Sequence, residues 1–210
     1  MKRIVKNPEP NEFTEWKKVP RRKKNPLWSK LYGELKDMVH KALIEEQGHI
    51  CCYCMNRLTE DNHIEHIRPK STFPDKMFCY NNLLVSCQRD PEALEPRHCG
   101  TLKGNWYDEN LMISPLDADC ESHFRFTVDG TIRGADGNNQ AAMVTIEKLG
   151  LDIDKLRRHR RDAIDGLLNG IGEPSWDEKQ KLIQAYKEKD EEGRFIPFCA
   201  AIVYVLNNYF

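Results

Sequence analysis

Apolar residues first recur at helical spacing in Leu27, Leu31, Leu35, Met38 and Ala42, with Asn25 placed as an N-cap, Pro26 at the first helical position and Gly48 as a stop. The pattern predicts one helix there, after a Pro- and Lys-rich lead-in. From about residue 51 to 115 the periodicity fades and Pro69, Pro74, Pro91 and Pro96 punctuate the chain. Ile64, Glu65, His66 and Ile67 read as a short strand, with Asn82, Leu83 and Leu84 further on. Phe124, Phe126 and Val128 then alternate ahead of Asp129-Gly130 and Ile132, which predicts a β-hairpin. Helical stripes follow: Ala142, Ile146 and Leu149, ended by Gly150, and then Leu156, Ala163, Ile164, Leu167 and Leu168, which leave Arg157, Arg158, Arg160 and Arg161 outward. Ser175 and Glu178 form a capping box that opens a third helix through Leu182, Ile183 and Tyr186. The apolar run from Phe198 to Phe210 reads as a terminal helix, either buried or docking a partner, with burial preferred.

These patterns give an α+β chain in three regions: a basic lead-in and helix (1–50), an irregular core (51–115), and a hairpin followed by a mostly helical part (116–210). A length of 210 residues suits one or two domains. The middle region has too few consecutive apolar residues to build its own core, and a bound structural metal would supply the missing folding free energy. A formal net charge of −1 advertises no overall affinity for nucleic acid. The run Lys17, Lys18, Arg21, Arg22, Lys23, Lys24 and the cluster Arg157–Arg161 are local basic patches, read equally as nucleic-acid contacts or as solvated faces. No apolar stretch approaches the roughly 20 residues of a membrane span, and the charged start MKRIVKNPEP has no signal-peptide core. A cytoplasmic protein with reduced or metal-bound cysteines is expected.

The chemistry concentrates in residues 51–104. Cys51 and Cys54, with only Cys52 and Tyr53 between them, can place two thiolates on one tetrahedral metal, and Cys87 with Cys99 would close a zinc site. Cys52 is an alternative ligand to its neighbours, while Cys79, Cys120 and Cys199 read as buried thiols, and Trp16 and Trp28 as core or lid residues. Neighbouring strand residues point to opposite faces, so Glu65 would hold a catalytic Mg²⁺ or Mn²⁺ while His66 serves as general base toward water. Asn82 would accept a hydrogen bond from the His66 ring and fix its tautomer. Arg68, Lys70 and Lys103 are candidate phosphate contacts.

The motifs CCYC, HIEHIRPKS, NNLLVSC and HCGTLKG, in this order, resemble the zinc-knuckled HNH endonucleases of ββα-metal fold. With the following LMISPLD and the helical tail, the chain is similar to the PtuB-like HNH nucleases of Septu antiphage systems, which also occur as retron effectors. The resemblance implies Glu65 as metal ligand, His66 as base, Asn82 as its orienter, and Cys51, Cys54, Cys87 and Cys99 on Zn²⁺. It also implies partners: nucleic acid, DNA ahead of RNA; a PtuA-like SMC- or ABC-type ATPase; and, beside a retron, a reverse transcriptase with its msDNA. Two departures stand out. Cys87 and Cys99 are separated by a loop instead of two residues, which costs little closure entropy. Gly100 stands where the pattern carries a metal-binding Asn or His, leaving His63, His98 and Asn105 as candidates, of which His63 shares the strand face of Glu65. Besides the DNA-cleaving effector, an RNA- or tRNA-cleaving effector with the same site and a non-catalytic zinc module remain the alternative readings.

Overall fold

The computed structural model describes residues 1–19, 27–88, 94–172 and 174–210. The lead-in forms a helix that its composition does not suggest, α1 (Asn11–Lys18), which buries Phe13. Lys17 and Lys18 are ion-paired with Glu9 and Glu15, and the rest of that basic run lies outside the described residues, as do Asn25 and Pro26. The following helix, α2 (Gly33–Glu46), starts later than the spacing predicts, after a 3₁₀ turn at Trp28–Lys30. Its buried stripe is Val39, Leu43 and Glu46; Met38 and Ala42 stand one position off that face. Glu46 tolerates burial because Lys6 forms an ion pair with it, the Asn7 backbone N–H donates from 3.1 Å and the Tyr80 hydroxyl from 3.3 Å.

Strands β1 (Asn62–His66) and β2 (Leu83–Cys87) pair antiparallel, with Glu65 opposite Leu84 and His66 opposite Leu83. Alternation along β2 sends Leu83 and Val85 into a core with Phe13, Val39, Leu43 and Tyr80, and Leu84 into a larger core with Tyr53, Phe124, Leu149 and Leu156. The edge of β2 away from β1 is closed by Gln47, whose side chain accepts from Val85 N at 2.6 Å and donates to Val85 O at 2.9 Å. Helix α3 (Cys99–Lys103) packs against β2.

The hairpin forms as β3 (Phe124–Phe126) and β4 (Ile132–Gly134), with Val128 out of the strand in the turn. Helices α4 (Gln140–Lys148), α5 (Asp154–Ile171), α6 (Trp176–Lys187, opened by the expected capping box) and α7 (Cys199–Tyr209) complete the chain. Burial is the outcome for α7: Cys199, Ala201, Ile202, Val205 and Leu206 are enclosed, the last three beside Ile164 of α5 and Ile183 of α6. The outward placement of all four α5 arginines is corrected. Arg160 is 1% exposed, donating from Nε to Gly130 O at 2.6 Å with Asp152 at 3.6 Å, because the hairpin turn folds back over that face. Among the described residues no helix is long and apolar enough to cross a membrane.

Candidate metal knuckle and catalytic cleft

The knuckle begins with a tight turn. Cys51 N–H donates to Asn56 O at 2.8 Å, Met55 N–H donates to Cys51 O at 3.1 Å, and Met55 adopts φ 66°, which returns Cys54 over Cys51. Cys87 arrives from the end of β2, and Cys99 from the start of α3, where its N–H is held by Leu149 O at 2.7 Å. The four Sγ atoms are buried and lie within 4.8 Å of one another, Cys54 to Cys87 at 3.7 Å. Tetrahedral zinc with Zn–S bonds of about 2.3 Å sets its sulfurs about 3.8 Å apart, so the donor set fits a structural Zn²⁺. Backbone N–H groups already point at sulfur, Cys87 N to Cys51 Sγ at 3.4 Å and Asn56 N to Cys54 Sγ at 3.5 Å. Burial works to raise the Cys51 and Cys99 thiols. Cys51 alone is brought well down, by its cysteine neighbours, while Cys87 and Cys99 are pushed up. Zinc ligation by cysteine requires thiolates, so a dication bound here would favour the ionised form of the four ligands. The loop between Cys87 and Cys99 therefore closes as the slow length dependence of closure entropy allows. Cys52 stays out of the tetrad, and His98 stands against it, with Nδ1 3.2 Å from Cys99 Sγ and 3.8 Å from Cys87 Sγ.

On the knuckle side of β1, Glu65 is buried. Its Oε1 accepts from Lys103 Nζ at 2.8 Å and from the Tyr53 hydroxyl at 3.3 Å, and its Oε2 lies 3.3 Å from His63 Nε2. Burial alone would raise the Glu65 pKa; His63 and the Lys103 ammonium more than offset it and hold the carboxyl below its usual value. Lys103 is itself 3% exposed and also donates to His66 O at 2.9 Å, so it is not the surface phosphate contact expected. A Cβ on Gly100 would stand 2.6 Å from Glu65 Oε2, 2.8 Å from His63 Nε2 and 3.0 Å from Ser86 Oγ. Glycine here lets polar atoms converge where a side chain would otherwise fill the space. Of the candidates for the missing ligand, His63 is the one beside Glu65; His98 belongs to the cysteine cluster and Asn105 is exposed, accepting from Ser71 Oγ at 2.9 Å. Glu65 Oε2 and His63 Nε2 fit two positions of a hydrated divalent cation, since Mg²⁺ commonly takes few protein ligands and completes its shell with water and phosphate.

His66 points to the other face. Its ring meets Trp28 edge-on at 4.5 Å between centroids, and Nε2 lies 3.0 Å from Met77 O. A carbonyl only accepts, so Nε2 carries the hydrogen and Nδ1 is the basic nitrogen. Burial, only partly countered by the Met77 carbonyl, lowers the His66 pKa to about 4, so the ring is neutral at pH 7. The bond expected from Asn82 is thus made by Met77. Asn82 instead accepts from Arg68 N at 2.8 Å and donates to Arg68 O at 2.9 Å and Lys76 O at 3.1 Å, closing the loop between the strands. Its amide satisfies three backbone groups at once. Asn82→Ala should lower stability by about 1–3 kcal/mol, the range for stranding buried polar groups, as measured by urea unfolding.

At the free edge of β1 lies a cleft of about 460 Å³ lined by Trp28, His40, His63, Lys70 and Thr101 among others. Lys70 Nζ lies 5.6 Å from the Trp28 ring centroid at this rim. Arg68 stacks over Tyr107 at 5.3 Å and donates to its hydroxyl at 3.0 Å, beside a second pocket shared with Asn81 and Asn82. Gln47, Tyr53, Met77 and Ser86 escape sequence reasoning: two act through backbone closure or a main-chain carbonyl, and Tyr53 and Ser86 carry no spacing signal.

Over 68 residues the chain is 38% identical to Septu protein PtuB of Bacillus thuringiensis. The match takes in 31% of this chain and 24% of that protein, so the chain spans about a quarter of the relative's length. No protein-family profile matches the chain. A buried four-cysteine cluster able to hold zinc, within an α+β fold, and a partial likeness to a Septu protein are what the molecule presents.

Proposed function

We propose that this chain is an HNH endonuclease of ββα-metal type, in which β1, β2 and α3 form the core, hydrolysing nucleic-acid phosphodiesters as the effector of a Septu-like antiphage system alongside a PtuA-like ATPase. The observation that carries the reading is the division of labour across one edge strand: Glu65 with His63 on one face, neutral His66 on the other, beside a cysteine knuckle.

His66 Nδ1 would take the proton of the attacking water, its tautomer held by Met77 O. Trp28 packs against that ring and limits bulk water around it. Lys70 at the cleft rim and Arg68 on its aromatic shelf would contact backbone phosphates. Asn82 holds the intervening loop. A divalent cation held by Glu65 and His63 would supply Lewis-acid stabilisation of the phosphate oxygens.

The test is cleavage of plasmid DNA and of total tRNA by the zinc-loaded protein, alone and with its ATPase, in Mg²⁺ or Mn²⁺ and in metal-free buffer. Metal-dependent cutting is expected, with DNA the better substrate. Cutting confined to tRNA would make the chain a ribonuclease effector. No cutting with either substrate and partner, zinc retained, would leave a zinc-binding interaction module.

A further inference from the structure

We infer that Lys103 is a positioning residue that keeps Glu65 from retaining a divalent cation at rest, so that metal and nucleic acid enter the cleft together. The inference rests on the nuclease reading above. Lys103 is buried, and its ammonium is placed by two acceptors from different residues, Glu65 Oε1 at 2.8 Å and His66 O at 2.9 Å. Tyr53 takes up the same carboxylate oxygen from 3.3 Å. Only Glu65 Oε2 and His63 Nε2 remain for a cation, Gly100 brings no donor, and no third His, Cys, Asp or Glu joins them among the described residues.

The electrostatics follow from that packing. The carboxylate is already neutralised by an ammonium in contact with it, and a dication at Oε2 would face that ammonium across a single carboxyl group in a site with little water to screen them. Two protein ligands under that repulsion make a weak resting site. A phosphodiester in the cleft adds the missing negative charge and further oxygen ligands. Linkage then requires metal and nucleic acid to strengthen each other's binding by the same factor.

The test uses zinc-loaded protein and Mn²⁺, with free Mn²⁺ read by its electron-paramagnetic-resonance signal. Lys103→Met should bind Mn²⁺ about tenfold or more tightly than the wild type without nucleic acid, and Mn²⁺ should raise its melting temperature. Lys103→Arg, which keeps the cation, should bind as weakly as the wild type, and Lys103→Met with Glu65→Gln should lose the gain. A lysine that served packing alone would give the opposite sign, since its loss would loosen the site and weaken metal binding. Should Lys103→Met fail to fold, the reciprocal arm decides. Oligonucleotide affinity of cleavage-deficient His66→Ala, read by fluorescence anisotropy, should rise about tenfold with Mn²⁺ and stay flat when Glu65→Gln is added. Mn²⁺ affinity unchanged or lowered in Lys103→Met, or no Mn²⁺ effect on oligonucleotide binding, overturns the inference. If wild-type protein, alone or with its ATPase, nonetheless cuts in a metal-dependent way, the nuclease reading stands without it; if it does not, both fall.

Discussion

Replacing His66 with Ala should lower nucleic-acid cleavage by about a hundredfold to ten-thousandfold, the range supplied by a positioned general base, with zinc content unchanged. The residue holds no metal in the proposed site, so its loss removes the proton acceptor and leaves both the knuckle and the Glu65 face in place. Its ring is buried against Trp28 and tied to Met77 O, so some stability goes with it, about 1–2 kcal/mol by the usual cost of such truncations. A second readout tests the burial of the neutral ring. With its pKa lowered to about 4 by burial, His66 binds its proton less readily folded than unfolded, where about 6.5 is ordinary. The unfolded chain therefore takes up protons first, and the stability associated with the neutral ring is complete above pH about 6.5 and lost as pH falls toward 4. Urea unfolding of wild type at pH 7 and pH 5 should show that slope, and His66→Ala should reduce it, leaving the part contributed by His49, His98 and His159, which burial also lowers. Cleavage at near wild-type rate in the variant would remove His66 from the chemistry whatever the unfolding shows.

The parts of this site that were legible in sequence are those whose spacing is itself the constraint. Cys51 and Cys54, with two residues between them, can turn onto one metal, and Glu65 and His66, being adjacent on a strand, face opposite sides; both placements follow from covalent geometry. The hairpin at Asp129-Gly130 and the Ser175–Glu178 capping box are local in the same sense. What escaped is what tertiary packing decides. The α2 stripe is Val39 and Leu43 because the helix starts at Gly33, which the Leu27–Leu31 spacing hides. Arg160 is buried because Gly130, far away in sequence, presents a carbonyl to it. Lys103 turns inward because Glu65 needs a cation, and Asn82 closes a loop because Met77 already serves His66. In each case a polar group's partner lies elsewhere in the chain, and no periodicity encodes it.

Cys54→Ser should release the zinc and lower the melting temperature by about 10 °C or more. A structural zinc site contributes on the order of 10 kcal/mol of binding free energy at neutral pH, and forfeiting even about 3–5 kcal/mol of it moves a chain of this size by that much. The loss would spread because the knuckle is bonded into both halves of the molecule: Cys52 N–H donates to Val85 O at 3.1 Å on β2, and Phe198 N–H donates to Met55 O at 3.0 Å ahead of α7. Tyr53, inside the same turn, donates to Glu65 Oε1 at 3.3 Å, so a loosened knuckle would also release the proposed catalytic carboxylate. A strong chelator should reproduce the variant's melting behaviour in the wild type and lower cleavage in step with zinc loss, even with Mn²⁺ then restored. Cys52→Ser and Cys120→Ser, buried thiols outside the tetrad, should keep full zinc. Metal content after dialysis and thermal melts read all of this. Stoichiometric zinc with an unshifted melt in Cys54→Ser would dissolve the tetrad, whereas zinc lost equally from Cys52→Ser would bring Cys52 into the ligand set in place of Cys51, one residue along, and with it shift the turn that carries Tyr53 to Glu65.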